Sequence, residues 1–261
     1  MSYDSTFVEI TPENIADHPQ VICFINPKQA SYHHKVNWFK GQFKIGLKLK
    51  LLYLSGEKKP VGFIEYIPGE YCWRSVDAAG YMFIHCLWIN GKKYQQLGLG
   101  TVLLNEVEMD ARDLMGVAVL ASDKAFMATK AIFLKNGYEI VAQSGKDQLL
   151  AKKFVAGPGP AINDWENQLH KYQGLNIVYT KQCPWVARFV DEVQPVLREM
   201  NLSATITELS TAQEVQRAPS LYASFSLIYN GKLLADRYIS LTRFKNIVNK
   251  ELMPLLNQTQ Q

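Results

Sequence analysis

The chain has 261 residues, 48% hydrophobic, 20% charged and 11% aromatic, with a formal net charge of +4. Its length suits two domains, and its apolar share excludes a disordered or collagen-like chain. The weak positive charge argues against a nucleic-acid binder, which would carry a basic stripe, and four cysteines without Cys-x-x-Cys spacing argue against zinc or disulfide frameworks. Met1-Ser2-Tyr3-Asp4 has no signal-peptide character and no apolar run reaches membrane-spanning length. A cytoplasmic protein with reduced thiols, no metal and no membrane or nucleic-acid partner is therefore expected.

In chain order, a strand is expected over residues 7–10. A helix should open at Thr11-Pro12-Glu13-Asn14, where Pro suits the first helical position. Cys23 reads as a core residue of an apolar helix, and a further helix is expected over 35–44. Runs 49–54 and 60–67 around a polar loop read as a hairpin. Residues 81–89 are nearly all apolar or aromatic, which marks a central strand covered on both faces. The turn Gln95-Gln96-Leu97-Gly98-Leu99-Gly100-Thr101 leads into a helix carrying Val102, Leu103, Val107 and Leu114. Another buried strand starts at Gly116 and ends at Asp123, which is expected to cap a helix opening at Lys124. A helix over 128–135 closes at Gly137, and strands come next over 138–142 and 148–154.

Gly157-Pro158-Gly159-Pro160 cannot lie inside a helix or a strand. It divides the chain into a first domain, 1–155, a linker with a short helix, 156–171, and a second domain, 172–261. The second domain reads as a strand at 176–180, then a helix opened by Cys183-Pro184 and running to about 200. Next come a strand at 204–209, a short helix at 211–217, a hairpin of 225–229 with 235–239, and a last helix at 241–252.

The glycine turn carries the chemistry. Between a strand and a helix it exposes successive N–H groups at a helix N-terminus, where unpaired donors and the helix dipole favour an anion. A diphosphate is the natural guest. A P-loop is excluded, because Gly100 is followed by Thr101 without a lysine. A dinucleotide site would need an acid after the next strand, which Asp123 supplies, but it would also need this unit to begin the domain.

Gln95-x-x-Gly98-x-Gly100 after an apolar strand resembles the acetyl-CoA loop of the GNAT acyltransferases. Ala131-Ile132-Phe133-Leu134-Lys135-Asn136-Gly137-Tyr138 resembles the last helix of that family, and the order of elements is the family's order. The segments Gly62-Phe63-Ile64-Glu65-Tyr66-Ile67-Pro68-Gly69-Glu70 and Tyr81-Met82-Phe83-Ile84-His85-Cys86 resemble a bacterial GNAT subgroup with a YoaP-like C-terminal domain. The resemblance implies an α/β fold, a GNAT mixed-sheet domain followed by a smaller α/β domain. It implies direct transfer of an acetyl group from acetyl-CoA to a small amine or amino-acid-like acceptor. Main-chain N–H groups of Gln96, Leu97, Gly98, Leu99, Gly100 and Thr101, beside Gln95, would hold the diphosphate, with the Thr101 hydroxyl adding to them. Main-chain groups of Leu87, Trp88 and Ile89 would pair with the pantetheine arm. Phe133 stands where the family usually has a tyrosine that protonates the leaving thiolate, so that proton must come from water or another residue.

For the acceptor, His85 is the candidate base, because imidazole titrates near neutral pH; the competing reading is a core histidine. Glu65 and Glu70 would polarise or bind the amine. Trp73, Arg74 and Tyr81 are candidates for the acceptor pocket, while an Arg74–Asp77 ion pair is the plain expectation. Cys86 adjoins His85, and strand alternation sets the two on opposite faces. The order β-α-β-α-β-β-α with Cys183-Pro184 at a helix start resembles thioredoxin relatives. Val186 occupies the second cysteine position and Ala223 the usual cis-proline position. Cys183 at a helix N-terminus is expected to have a lowered pKa and a monothiol role, or the domain is degenerate and serves binding. Alternatives to the acyltransferase are a non-catalytic CoA-binding scaffold and a thiol-linked protein using Cys183. A homodimer is left open.

Overall fold

The computed structural model describes residues 4–19, 23, 25–122 and 128–252; Asp123 and its expected cap lie outside them. The chain forms two compact units. The first comprises residues 1–24, 36–72 and 76–162, and the second comprises 25–35, 73–75 and 163–261.

The first unit starts with β1 (Ser5–Ile10). The helix expected at Thr11 shrinks to a 3-10 turn, Ile15–Asp17. Asn14 is the reason: its side chain accepts the Thr11 N–H at 2.8 Å and donates to the Glu9 carbonyl at 2.9 Å, which satisfies the backbone without a helix. Cys23 sits in a turn with φ 48°, not in a helix. Helix α1 (Ala30–Phe43) begins five residues before the expected Lys35, and the division between units falls inside it. Then come β2 (Lys48–Leu54), β3 (Gly62–Pro68), a short β4 (Val76–Asp77) and the long β5 (Tyr81–Ile89). Helix α2 (Leu99–Asp110), β6 (Gly116–Ser122), α3 (Lys130–Lys135), β7 (Glu139–Ser144), β8 (Asp147–Lys153) and a short β9 (Ala161–Ile162) complete the unit.

Seven strands form one sheet in the order β1-β2-β3-β5-β6-β8-β7, while β4 and β9 pair as a separate ribbon. Every contact in the large sheet is antiparallel except β5–β6. That pair is parallel because α2 carries the chain back along the sheet between them. One face packs on α2 and α3, through Leu52, Ile64, Tyr66, Ile84, Leu103, Val107, Val119 and Phe133 among others. The other face meets α1, whose buried Trp38 ring lies 6.3 Å from that of His85.

The second unit has β10 (Leu175–Tyr179), α4 (Pro184–Glu199), β11 (Ala204–Glu208) and α5 (Ala212–Gln216). It ends with β12 (Phe225–Tyr229), β13 (Lys232–Ala235) and α6 (Leu241–Ile247), which runs into a π-helical turn, Val248–Leu252. The sheet order is β11-β10-β12-β13, with β10–β11 parallel and the other two pairs antiparallel. Thr211 and Glu214 form a capping box that starts α5. Asn230 and Gly231 both have positive φ, 46° and 76°, and close a two-residue hairpin. The second hairpin strand therefore begins at Lys232, earlier than the expected 235–239. The Phe189 ring meets Phe225 and Phe244 edge-on, at 5.3 and 5.9 Å, in the centre of the core.

Candidate functional site

The first unit opens a wedge in its own sheet. On one side β5 pairs with β3 from Met82 to Ile89. On the other it pairs with β6 only over Tyr81–Ile84, opposite Gly116–Val119. Beyond that point β6 pairs only with β8, through Leu120, Ala121 and Ser122. Past Ile84, β5 and β6 no longer pair along that edge. An extended ligand arm with amide groups fits such an edge as an added strand.

The wedge has a local cause. In the β3–β5 ladder Glu65 faces Cys86 and Tyr66 faces Ile84, so His85 is an extra residue in a β-bulge. Ile84 and Leu87 both enter the core under α2, three residues apart where a regular strand would space them by two. The strict alternation expected for His85 and Cys86 is broken here.

The glycine turn lies between β5 and α2. Gln96 (φ 66°) and Gly98 (φ 77°) are left-handed on either side of Leu97, an arrangement that turns successive N–H groups toward one concavity. Gly98 is the N-cap of α2 and no side chain caps the helix, so its first donors stay available. The Thr101 and Val102 N–H groups are exceptions, because both donate to the Gly98 carbonyl, at 2.9 and 3.2 Å. The Thr101 amide is thereby removed from the expected cradle.

The two glycines serve different ends. A Cβ at Gly98 would meet nothing within 4 Å, so the residue answers to its positive φ and to whatever approaches from outside. A Cβ at Gly100 would collide with the Ile132 side chain, so Gly100 answers to packing against the segment that carries α3. Helix α2 is held over the sheet by an ionic network. Asp110 accepts from Lys48 at 2.8 Å and from the Tyr66 hydroxyl at 2.6 Å, and Lys50 reaches Glu106 at 2.9 Å. Burial pushes the Asp110 carboxyl up, but the bonds from Lys48, Tyr66 and Lys50 outweigh it and leave the group below the usual carboxylate range.

Among the acceptor candidates the structure brings Glu65 and His85 together. His85 Nδ1 lies 3.2 Å from Glu65 Oε1, with side chains 0% and 3% exposed. Glu70 is an exposed residue whose Oε1 accepts the Gly80 N–H at 2.8 Å, bracing its loop. Tyr81 is 1% exposed and its hydroxyl donates to the Pro158 carbonyl. Trp73 and Arg74 are 2% and 3% exposed and belong to the second unit. Arg74 donates to Gln182 Oε1 at 2.6 Å and stacks 4.0 Å from the Tyr222 ring centre. The expected ion pair with Asp77 gives way to this, and Asp77 Oδ1 accepts the Ala79 N–H instead. Phe133 is fully buried in the core, its ring 5.5 Å from that of Tyr138.

In the second unit Cys183 is the N-cap of α4. Its pKa is raised, not lowered as expected. Burial of the thiol outweighs the Val186 and Trp185 amides and the charges of Lys35 and Arg74. Ala223 has φ 61°, and the Ser224 N–H donates to the Tyr222 carbonyl at 2.8 Å. This is a strained three-residue turn that sets Tyr222 under Arg74. The influence of Lys35 and Arg74 on Cys183 carries no sequence signature, because both come from segments far from it in the chain.

The chain has similarities to known proteins along its length. Residues 20–138 match the family model described as Acetyltransferase (GNAT) family, and residues 204–246 match the one described as YoaP-like. It is 27% identical over 254 residues to the uncharacterized N-acetyltransferase YoaP of Bacillus subtilis (strain 168), covering 93% of this chain and 98% of that protein. It is also similar to the crystal structure of the PaiA N-acetyltransferase of Thermoplasma acidophilum in complex with coenzyme A. There the TM-score is 0.42 and the identity 16%, over 59% of this chain and 100% of that one. The crystal structure of an acetyltransferase from Thermus thermophilus gives a TM-score of 0.42 at 16% identity, over 57% of this chain and 95% of that one.

Proposed function

We propose that this chain, whose residues 20–138 match the GNAT acetyltransferase family model, moves an acetyl group from acetyl-CoA directly onto the amine of a small acceptor. The observation that carries this reading is the wedge between β5 and β6, which ends at a donor-lined turn with no side-chain cap. The diphosphate sits on the N–H groups of Gln96, Leu97, Gly98, Leu99 and Gly100, and the Thr101 hydroxyl adds one bond. The pantetheine amides pair with the main chain of Leu87, Trp88 and Ile89.

The neutral amine nitrogen attacks the thioester carbonyl, the C–S bond breaks, and the CoA thiolate leaves. His85 takes the proton lost by the amine through one bridging water, because its ring is closed off from bulk solvent. Glu65, 3.2 Å away, holds the ring and offsets the charge it gains. Phe133 has no proton to give, so the thiolate is protonated from water.

The second unit is read as thioredoxin-like; its strand order β11-β10-β12-β13 and Cys183-Pro184 at the start of α4 support that reading. An acetyl-CoA substrate and four cysteines without disulfides suit a cytoplasmic setting. A second reading, a CoA-binding scaffold without turnover, is favoured by Phe133 alone. Thiol release from acetyl-CoA, measured against a library of small amines, decides between them. Release that depends on an amine supports transfer; CoA binding by calorimetry with no release under any amine supports the scaffold; absence of CoA binding overturns both.

A further inference from the structure

The segment between β5 and α2, which carries the glycine turn, is weakly tied to the core. Leu87 and Leu99 are buried, and none of residues 88–98 between them is. Ile89, Tyr94 and Leu97 are only half-buried, packed against the margin of the core. Gly91, with φ 95°, opens a 3-10 turn, Lys92–Tyr94. There the Tyr94 and Gln95 N–H groups donate to the Gly91 and Lys92 carbonyls, at 3.1 and 3.2 Å. The left-handed Gln96 and Gly98 follow. Few buried contacts and exposed backbone bonds are the marks of a segment that opens locally at low cost.

Its ties lead to the connection between β2 and β3. The Asn90 N–H donates to the Val61 carbonyl at 2.7 Å. Lys93 Nζ lies 2.9 Å from Glu57 Oε1 and 4.5 Å from the Tyr94 ring centre. The pair is open to solvent, with the Lys93 side chain 68% and the Glu57 side chain 36% exposed. The Lys93 ammonium and the Tyr94 hydroxyl hold the Glu57 carboxyl below the usual carboxylate range, so both partners are charged at neutral pH.

We propose that Glu57 is a positioning residue for CoA: through Lys93 it latches the segment in the form that seats the diphosphate. This role rests on the CoA reading given above. The sign of its effect separates a latch from plain electrostatics. CoA is an anion, so removing a nearby carboxylate should by charge alone tighten binding, and a freed Lys93 should tighten it further. A latch acts in the opposite direction. With Glu57 neutralised the turn spends less time in its seating form, and the apparent affinity falls with that fraction.

The test titrates CoA by calorimetry into the full chain, into Glu57→Gln, into Lys93→Gln, into the double variant, and into the exchanged pair Glu57→Lys with Lys93→Glu. Each single change is expected to raise Kd roughly threefold, a size that an exposed ion pair allows. The double variant should bind no more weakly than the singles, and the exchanged pair should recover part of the loss. The gap between wild type and Glu57→Gln should close at about 1 M salt, where exposed charges are screened. Without ligand, hydrogen exchange at the Tyr94 and Gln95 amides should be faster in Glu57→Gln than in wild type, while thermal unfolding stays nearly unchanged. Wild type that binds no CoA overturns the CoA reading and the latch with it. Wild type that binds CoA, beside a Glu57→Gln variant that binds equally or more tightly or exchanges at an unchanged rate, overturns the latch alone.

Discussion

Gly98 and Gly100 lie two positions apart in one turn, yet their surroundings separate their roles. Alanine at Gly98 keeps open space around its Cβ but must hold a left-handed backbone, a cost of about 1–2 kcal/mol. The same methyl would intrude on the diphosphate seat proposed above. Gly98→Ala is therefore expected to weaken CoA binding at least about tenfold in calorimetry, with a modest fall in stability. Alanine at Gly100 presses on the far end of the Ile132 side chain, which can swing aside, so Gly100→Ala should destabilise the fold only slightly and leave CoA affinity nearly unchanged. Adding Ile132→Ala to it should recover part of the loss, a coupling that a double-mutant cycle in thermal unfolding measures. Equal affinity losses at both glycines would refute the separation. The residue types of this turn were legible in the sequence, because glycine beside a helix start has few uses. Which glycine borders open space and which packs on Ile132 was not, because that depends on where α3 packs. Cys183 gives the same lesson with the opposite sign. Its place at a helix N-terminus is readable from Cys-Pro, but the burial that raises its pKa comes from segments elsewhere in the chain.

At the scale of elements, α2 owes its position to charges on the strands beneath it. Asp110 takes bonds from Lys48 and Tyr66 and lies 3.1 Å from Lys50. Asp110→Asn should cost about 1–2 kcal/mol in denaturant unfolding at neutral pH, the range for bonds to a charged group at a partly exposed site. The pH dependence has a definite sign. A carboxyl held below its unfolded pKa contributes stability above that pKa, roughly 3.9, and loses it as the pH falls through the lower folded value. Wild type and variant should therefore converge in stability on acidification below about pH 4. A gap that stays constant down to about pH 2 would refute the role given to this carboxylate. Most elements were legible, since β5 is a long apolar run and α2 follows glycines. The helix after Thr11 was misread because the Asn14 side chain supplies locally what a helix would have supplied. The bulge at His85 was hidden because it is a matter of register between two strands, and no single strand carries that information.

For the molecule as a whole, the Gly157-Pro158-Gly159-Pro160 run marks a break in secondary structure close to, but not at, the division between compact units. The second unit also draws on residues 25–35 and 73–75. The Asn163 N–H donates to the Ser75 carbonyl, the Ser75 N–H to the Leu221 carbonyl, and the Ser75 hydroxyl to the Gln216 carbonyl. A fragment of residues 163–261 lacks those partners and also lacks Lys35 and Arg74. It should unfold at a clearly lower denaturant concentration than the same region of the intact chain, as read by tyrosine and tryptophan fluorescence. A fragment as stable as the intact chain would show that the early segments contribute nothing to its core.

The way the early segments are shared also sets an order in time. Residues 25–35 leave the ribosome well before the strands they accompany in the second unit, which run from Leu175 to Ala235. At roughly 5–20 residues per second, on the order of ten seconds or more separates the two events. During that interval the side chains of Ser31 and Lys35, buried in the finished protein, have no complete unit to enter. The first half of helix α1 therefore cannot reach its final surroundings before the second unit exists, and synthesis alone delays the last step of folding until β13 has been made.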